Sequence, residues 1–204
     1  MLSLSLLSIK DDYERIRLMD ELNPDYLHLD VADGKFVSNY ADFLNMPVTS
    51  SKKDVHLMVA DVEEYIEKYS KLYPEYITFH IEATDNPEKM INLIKGHGIK
   101  VGIALSPESS VDLIKSYLAY VDLVLIMSVT TGYGGQAFLE SSIPKIEELY
   151  SLREEYNYKY LIEIDGGISE ETALLCKKSD LFAVGSYITL SDDYVKRAEM
   201  FKHK

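Results

Sequence analysis

Much of what this chain might have been is excluded by what it lacks. A single cysteine, Cys176, permits no internal disulfide in 204 residues, and its place in a helical segment reads as a small buried filler. No apolar stretch approaches the roughly 18 residues of a membrane span. The opening run from Met1 to Ile9 is apolar but short, has no basic region ahead of it, and passes at once into Lys10-Asp11-Asp12. It does not read as a signal peptide. Lysine and arginine are outnumbered 21 to 34 by aspartate and glutamate, giving a formal charge of −13. With no basic run either, that balance repels phosphate backbones and argues against a nucleic-acid partner. No low-complexity linker or charge block marks a boundary, so residues 1–204 are expected to form one soluble, cytoplasmic domain.

What is present is a persistent alternation. Strand-like runs fall at Leu2 to Leu7, Tyr26 to Val31, Val55 to Val59, Tyr76 to Ile81, Lys100 to Leu105, Val121 to Met127, Tyr160 to Ile164 and Leu181 to Val184. Between them lie helix-like runs at Asp11 to Glu21, Asp42 to Ser50, Val62 to Leu72, Pro87 to His97, Ser109 to Tyr117, Ser142 to Tyr156, Glu170 to Cys176 and Asp192 to Phe201. Eight of each in strict order is the count of a (β/α)8 barrel. Caps support the helices: Asn86-Pro87 offers a polar cap and a proline at the first helical position, and Ser109 and Ser169 precede two others. An open doubly wound sheet shares the alternation, but the Gly-x-Gly-x-x-Gly turn that such sheets use for dinucleotides is missing after the first strand.

Polar residues collect where these strands end. Along Tyr26-Leu27-His28-Leu29-Asp30-Val31 the two-residue period puts His28 and Asp30 on one side. A lone His-x-Asp is more often a surface pair or a satisfied core hydrogen bond than a metal site. The third strand adds His56, with Met58 on the same face, and the seventh ends in Asp165 before Gly166-Gly167. Two imidazoles and two carboxylates at matching strand ends suit Zn2+, Fe2+, Mn2+ or Co2+, and the donor types do not choose among them. Glu163 lies one layer deeper as a buried carboxylate in need of a partner. His80 is read as part of an interior network with Thr78 and Glu82, and His97 and His203 as solvent-facing. Three glycine groups converge on the same rim: Gly132, Gly134 and Gly135 after the sixth strand, Gly166 and Gly167 after the seventh, and Gly185-Ser186 after the eighth. Such turns let backbone N–H groups approach an anion, and barrels commonly seat a phosphate there.

Taken in order, these motifs resemble the ribulose-phosphate 3-epimerase family essentially end to end. The likeness is carried by Leu4 to Ser8, His28 to Gly34, Asp54 to Val59, Thr78 to Ala83, Met127 to Phe138, Glu163 to Ile168, and Gly185-Ser186. It implies a (β/α)8 TIM barrel of the ribulose-phosphate-binding type and an isomerase of the pentose phosphate pathway. It also implies that His28, Asp30, His56 and Asp165 hold one divalent metal ion, with Asp30 and Asp165 doubling as acid and base. By the same likeness Ser5 and His56 stand near the substrate, and Met58 and Met127 line the cavity. Gly134, Gly135, Gly166, Gly167, Gly185 and Ser186 would hold the phosphate, and the protein would be a homo-oligomer acting on a small sugar phosphate. Inverting a carbon beside a carbonyl removes a proton from one face and returns one to the other, so two opposed acid/base groups are the simplest device.

The chain departs from the family's pattern at Ala32, where methionine is usual, at Leu4 and Ser38 in place of prolines, and at Thr131 and Tyr133 in the glycine loop. Ala32 is expected to thin one cavity wall, which keeps a hexulose phosphate such as D-allulose 6-phosphate open as substrate. Tyr133 is expected to bring a hydroxyl near the phosphate. A non-catalytic sugar-phosphate binding barrel is a competing reading. So is a lyase or decarboxylase, which would need a lysine such as Lys35 at the reacting carbon.

Overall fold

Alternation of side chains along each strand decides the architecture. The computed structural model describes residues 1–202, and His203 lies outside the described residues. Eight parallel strands carry the fold: β1 (Leu2–Ser5), β2 (Tyr26–Asp33), β3 (Lys53–Met58), β4 (Tyr76–His80), β5 (Lys100–Leu105), β6 (Leu123–Met127), β7 (Leu161–Asp165) and β8 (Leu181–Val184). Each pairs with the next, and β1 pairs with both β8 and β2, so the sheet closes into a barrel. Leu4 shows the closure, standing opposite Leu27 on one side and Val184 on the other. Closure removes every sheet edge and sets inward and outward residues in strict alternation.

Outward positions such as Leu27, Leu29, Val31, Val55, Leu57, Ile77 and Phe79 are fully buried beneath the outer layer. That layer contains α1 (Tyr13–Glu21), α2 (Val62–Tyr69), α3 (Pro87–Gly96), α4 (Ile143–Tyr156), α5 (Glu170–Leu175), α6 (Ser186–Thr189) and α7 (Tyr194–Lys202). The caps read from the sequence are present: Asn86 accepts from Lys89 N and starts α3, and Ser169 forms a capping box with Thr172 at α5. Inward positions change character along the barrel axis. Tyr26, Tyr76, Leu123 and Leu181 pack as an apolar cluster toward the strands' N-terminal ends. Ser5, Asp30, His56, His80 and Asp165 stand toward the C-terminal ends, where βα loops form active sites in such barrels.

Two expected helices are absent. Residues 42–50 form no helix; Tyr40–Ala41 instead adds a short antiparallel ribbon to β2. The Asp42 carboxylate accepts from Leu44 N, and the Asp20 carboxylate takes the N–H groups of Ser50 and Ser51. Side chains that bind nearby backbone in this way compete with helical hydrogen bonds. Residues 109–117 form two 3-10 turns, Val111–Leu113 and Lys115–Tyr117, with Ser110 capping the first. Val111, Ile114 and Leu118 are buried at helical spacing, so the apolar pattern was sound while the hydrogen bonds run to the third residue.

Candidate active site

Strands β2, β3 and β7 each deliver a pair of polar side chains to the barrel interior. His28 and Asp30 come from β2, Asp54 and His56 from β3, and Glu163 and Asp165 from β7. One donor atom from each of His28, Asp30, His56 and Asp165 lies within 4.8 Å of the others. His28 Nδ1 is committed to Asp54 Oδ2 at 2.7 Å, and Ser3 Oγ donates to the same oxygen at 2.9 Å. That leaves His28 Nε2 buried and without a hydrogen bond, 3.2 Å from Asp30 Oδ1. His56 Nδ1 stands 3.2 Å from the same oxygen and 3.9 Å from Asp165 Oδ2. An orphaned imidazole nitrogen aimed at two carboxylates, with its other nitrogen held by a third, is the donor set and support of a divalent metal site. The residues present fit such an ion.

Electrostatics separate the two aspartates. Burial raises the Asp30 carboxyl, but the His28 charge, with His56 beside it, more than offsets that and holds it far below the usual range. Burial pushes Asp165 up to about 7, helped by the neighbouring Asp30 charge. Burial depresses His56 to about 4, whereas His28 stands well above its ordinary value because Asp30 and Asp54 outweigh its burial. Burial, then the Asp54 charge, keeps the Glu163 carboxyl well above its normal range, and neither of its oxygens has a hydrogen bond. Glu163 Oε1 lies 3.5 Å from His28 Nδ1, so the partners its burial demands are His28 and Asp54.

A cavity of about 300 Å³ opens above this cluster. Asp30 and Asp165 reach its floor, and it is lined by Ser5, Met58, Met127, Gly134, Gly135, Gly166, Gly167, Gly185 and Ser186. His28 and His56 do not line it; both are fully buried beneath it. Ser5 Oγ donates to Asp30 Oδ2 at 2.6 Å and so holds the carboxylate from the cavity side. Gly166 and Gly167 have φ of 114° and 63°. A Cβ at Gly167 would come within 2.7 Å of the Phe138 backbone nitrogen, so a bare backbone is required there. No lysine or arginine lines the cavity among the described residues.

The departures from the family pattern resolve unevenly. Ala32 is buried against Ala41 and Met58 and does not reach the cavity. Tyr133 does line it, and its hydroxyl bonds to Ser38 Oγ at 3.0 Å. Lys35 lies outside this cavity. Asp54 was not among the expected site residues, although it sits two positions before His56 and therefore on the same strand face. His80 belongs to a network with Glu82, as expected, but its other nitrogen meets His56, and Thr78 Oγ1 has no partner in it.

Solved structures confirm the fold at low identity. KGPDC from Streptococcus mutans aligns with a TM-score of 0.67 at 14% identity, covering 98% of this chain and 94% of that one. A tryptophan synthase alpha-subunit from Pyrococcus furiosus gives 0.68 at 11% identity, covering 98% and 96%. Sequence relatives are far nearer. The ribulose-phosphate 3-epimerase of Bacillus subtilis is 36% identical over 189 residues, covering 89% of this chain and 87% of that protein. The chloroplastic ribulose-5-phosphate-3-epimerase of Arabidopsis thaliana is 33% identical over 199 residues, covering 93% and 70%. Together with a family model that matches residues 1–189, these likenesses show that the chain belongs to the ribulose-phosphate 3 epimerase family.

Proposed function

We propose that this protein interconverts D-ribulose 5-phosphate and D-xylulose 5-phosphate by proton transfer at C3, with one divalent metal ion held by His28, Asp30, His56 and Asp165. The observation that carries the reading is the meeting of Asp30 and Asp165, from strands three steps apart round the barrel, at the floor of one cavity. Their environments push them in opposite directions, which is how a pair of carboxyls divides into a base and an acid. Asp30, ionised and steadied by Ser5, takes the C3 proton in one direction, and Asp165 returns one from the other side; the reverse reaction exchanges the roles. Met58 and Met127 exclude water beside them. When bound, the divalent cation supplies Lewis-acid stabilisation of the negative charge that develops on the substrate oxygens.

The phosphate is placed at the glycine-lined end, on Gly134, Gly135, Gly166, Gly167, Gly185 and Ser186. Because no lysine or arginine among the described residues lines the cavity, backbone dipoles do the holding. The pentulose is the proposed substrate because the sequence relatives named above are ribulose-phosphate 3-epimerases. Turnover in D2O with metal-loaded enzyme is expected to place deuterium at C3 of both epimers. Asp165→Asn is expected to lower kcat by about 10²–10⁴-fold. Turnover without solvent label, or an unimpaired Asp165→Asn enzyme, refutes the two-carboxyl route.

A further inference from the structure

His56 is the one expected ligand whose second nitrogen is held by another imidazole. We propose that His80 and Glu82 order the protons on His56, so that His56 presents a bare Nδ1 lone pair to Asp30 and Asp165 for the metal ion. The inference rests on the metal reading above and deepens it, making His80 and Glu82 positioning residues.

The order follows from which atoms can donate. Glu82 follows β4, and its Oε1 accepts from Ser106 N at 2.9 Å. Its Oε2 lies 3.1 Å from His80 Nδ1. A carboxylate only accepts, so the His80 proton sits on Nδ1 and a neutral ring has a bare Nε2. That Nε2 stands 2.9 Å from His56 Nε2, a distance that requires one donor and one acceptor. His56 is then the donor, which strips its Nδ1 of a proton; Asp30 Oδ1, 3.2 Å from that Nδ1, favours the opposite order, and a metal ion on Nδ1 would leave the pull of Glu82 unopposed. The remaining polar neighbour of His80, Ser106 Oγ at 3.3 Å from its Nδ1, has a hydrogen free to turn away. Both imidazoles are fully buried, and Phe36 lies against His80 with ring centroids 5.0 Å apart, so water does not compete for their nitrogens. The two ligand histidines are thus ordered alike. Asp54 acts on His28 directly, and Glu82 acts on His56 through His80.

Glu82→Gln tests the order because it can reverse it. Ser106 N–H takes the amide oxygen, so the amide NH2 faces His80 Nδ1. His80 then donates from Nε2, and His56 is left with its proton on Nδ1. Co2+ affinity, followed by the visible absorption of the Co2+-substituted protein, is expected to weaken about 10–100-fold, the usual cost of losing such support. The melting midpoint of the stripped protein is expected to stay at the wild-type value. His80→Leu is expected to lose affinity similarly, and His80→Gln to recover most of it because its amide oxygen can accept from His56. If His80→Leu does not fold, Glu82→Gln decides alone. 15N NMR of the Zn2+-loaded wild type is expected to show the His80 proton on Nδ1. Wild-type Co2+ affinity in Glu82→Gln, or the His80 proton on Nε2, overturns the proposal. A failure of the metal reading itself looks different: the wild type then takes up no Co2+, or His56→Ala takes it up as well as the wild type does.

Discussion

Gly102 shows how tightly single residues are specified inside the barrel. It sits in the middle of β5, where a Cβ would lie 2.0 Å from Thr78 Oγ1 and 2.8 Å from Thr78 Cβ. Thr78 is fully buried and β-branched, so it has little freedom to retreat. Gly102→Ala is therefore expected to cost about 1–3 kcal/mol through overpacking. Urea denaturation measures this, and Gly102→Ala with Thr78→Ala is expected to be more stable than Gly102→Ala alone. Wild-type stability in the single variant would show that the strands can separate without cost. At this scale the sequence was informative wherever the residue type itself has chemistry. His28, Asp30, His56 and Asp165 were legible because imidazoles and carboxylates ended strands on a predictable face. The service of Asp54 to His28 and of His80 to His56 was not legible. Each crosses from one strand to its neighbour, and register is set by the closed barrel rather than by spacing along the chain.

Among the elements, strands were read within about two residues because their apolar alternation is short and self-contained. The lost helices at 42–50 and 109–117 failed where serine and aspartate side chains bind local N–H groups, an effect no apolar pattern reports. Loop pairing was also hidden, and it bears on function. The loop after β2 and the glycine loop after β6 meet over the site through Ser38 Oγ and Tyr133 Oη, and through Asn39 Nδ2, which donates to Gly132 O at 2.7 Å. Val37 packs where a Cβ on Gly132 would otherwise stand, at 2.8 Å. Two residues that each depart from the family's pattern thus bond to one another. Tyr133→Phe is expected to raise KM for the sugar phosphate about 2–10-fold, the worth of one hydrogen bond, with kcat little changed. Ser38→Ala is expected to do the same, and the double variant no more than either. Additive losses in steady-state kinetics would show that the two hydroxyls act separately.

Taken whole, the molecule carries a formal charge of −13 and encloses Asp30, Asp54, Glu163 and Asp165 inside its barrel. Burying charges without partners is costly, and proteins meet that cost with protons, pairing or metal ions. Here Glu163 and Asp165 are pushed toward the protonated form and His28 toward the cationic form, all three changes reducing the negative charge of the interior. A divalent cation held as proposed would do the same through a site that exists only in the folded barrel, because the candidate ligands come from three strands far apart in sequence. Such binding would stabilise the fold by linkage, by about 2.7 kcal/mol at a hundredfold excess over Kd. For a chain of this size that corresponds to a rise of roughly 5–10 °C in Tm. Protein stripped with a chelator and titrated with Co2+ in a thermal melt is expected to show this rise, and Asp165→Asn a much smaller one. An unchanged midpoint in the wild type would mean that the carboxylates are fully compensated by protons, and that the barrel gains nothing from the ion.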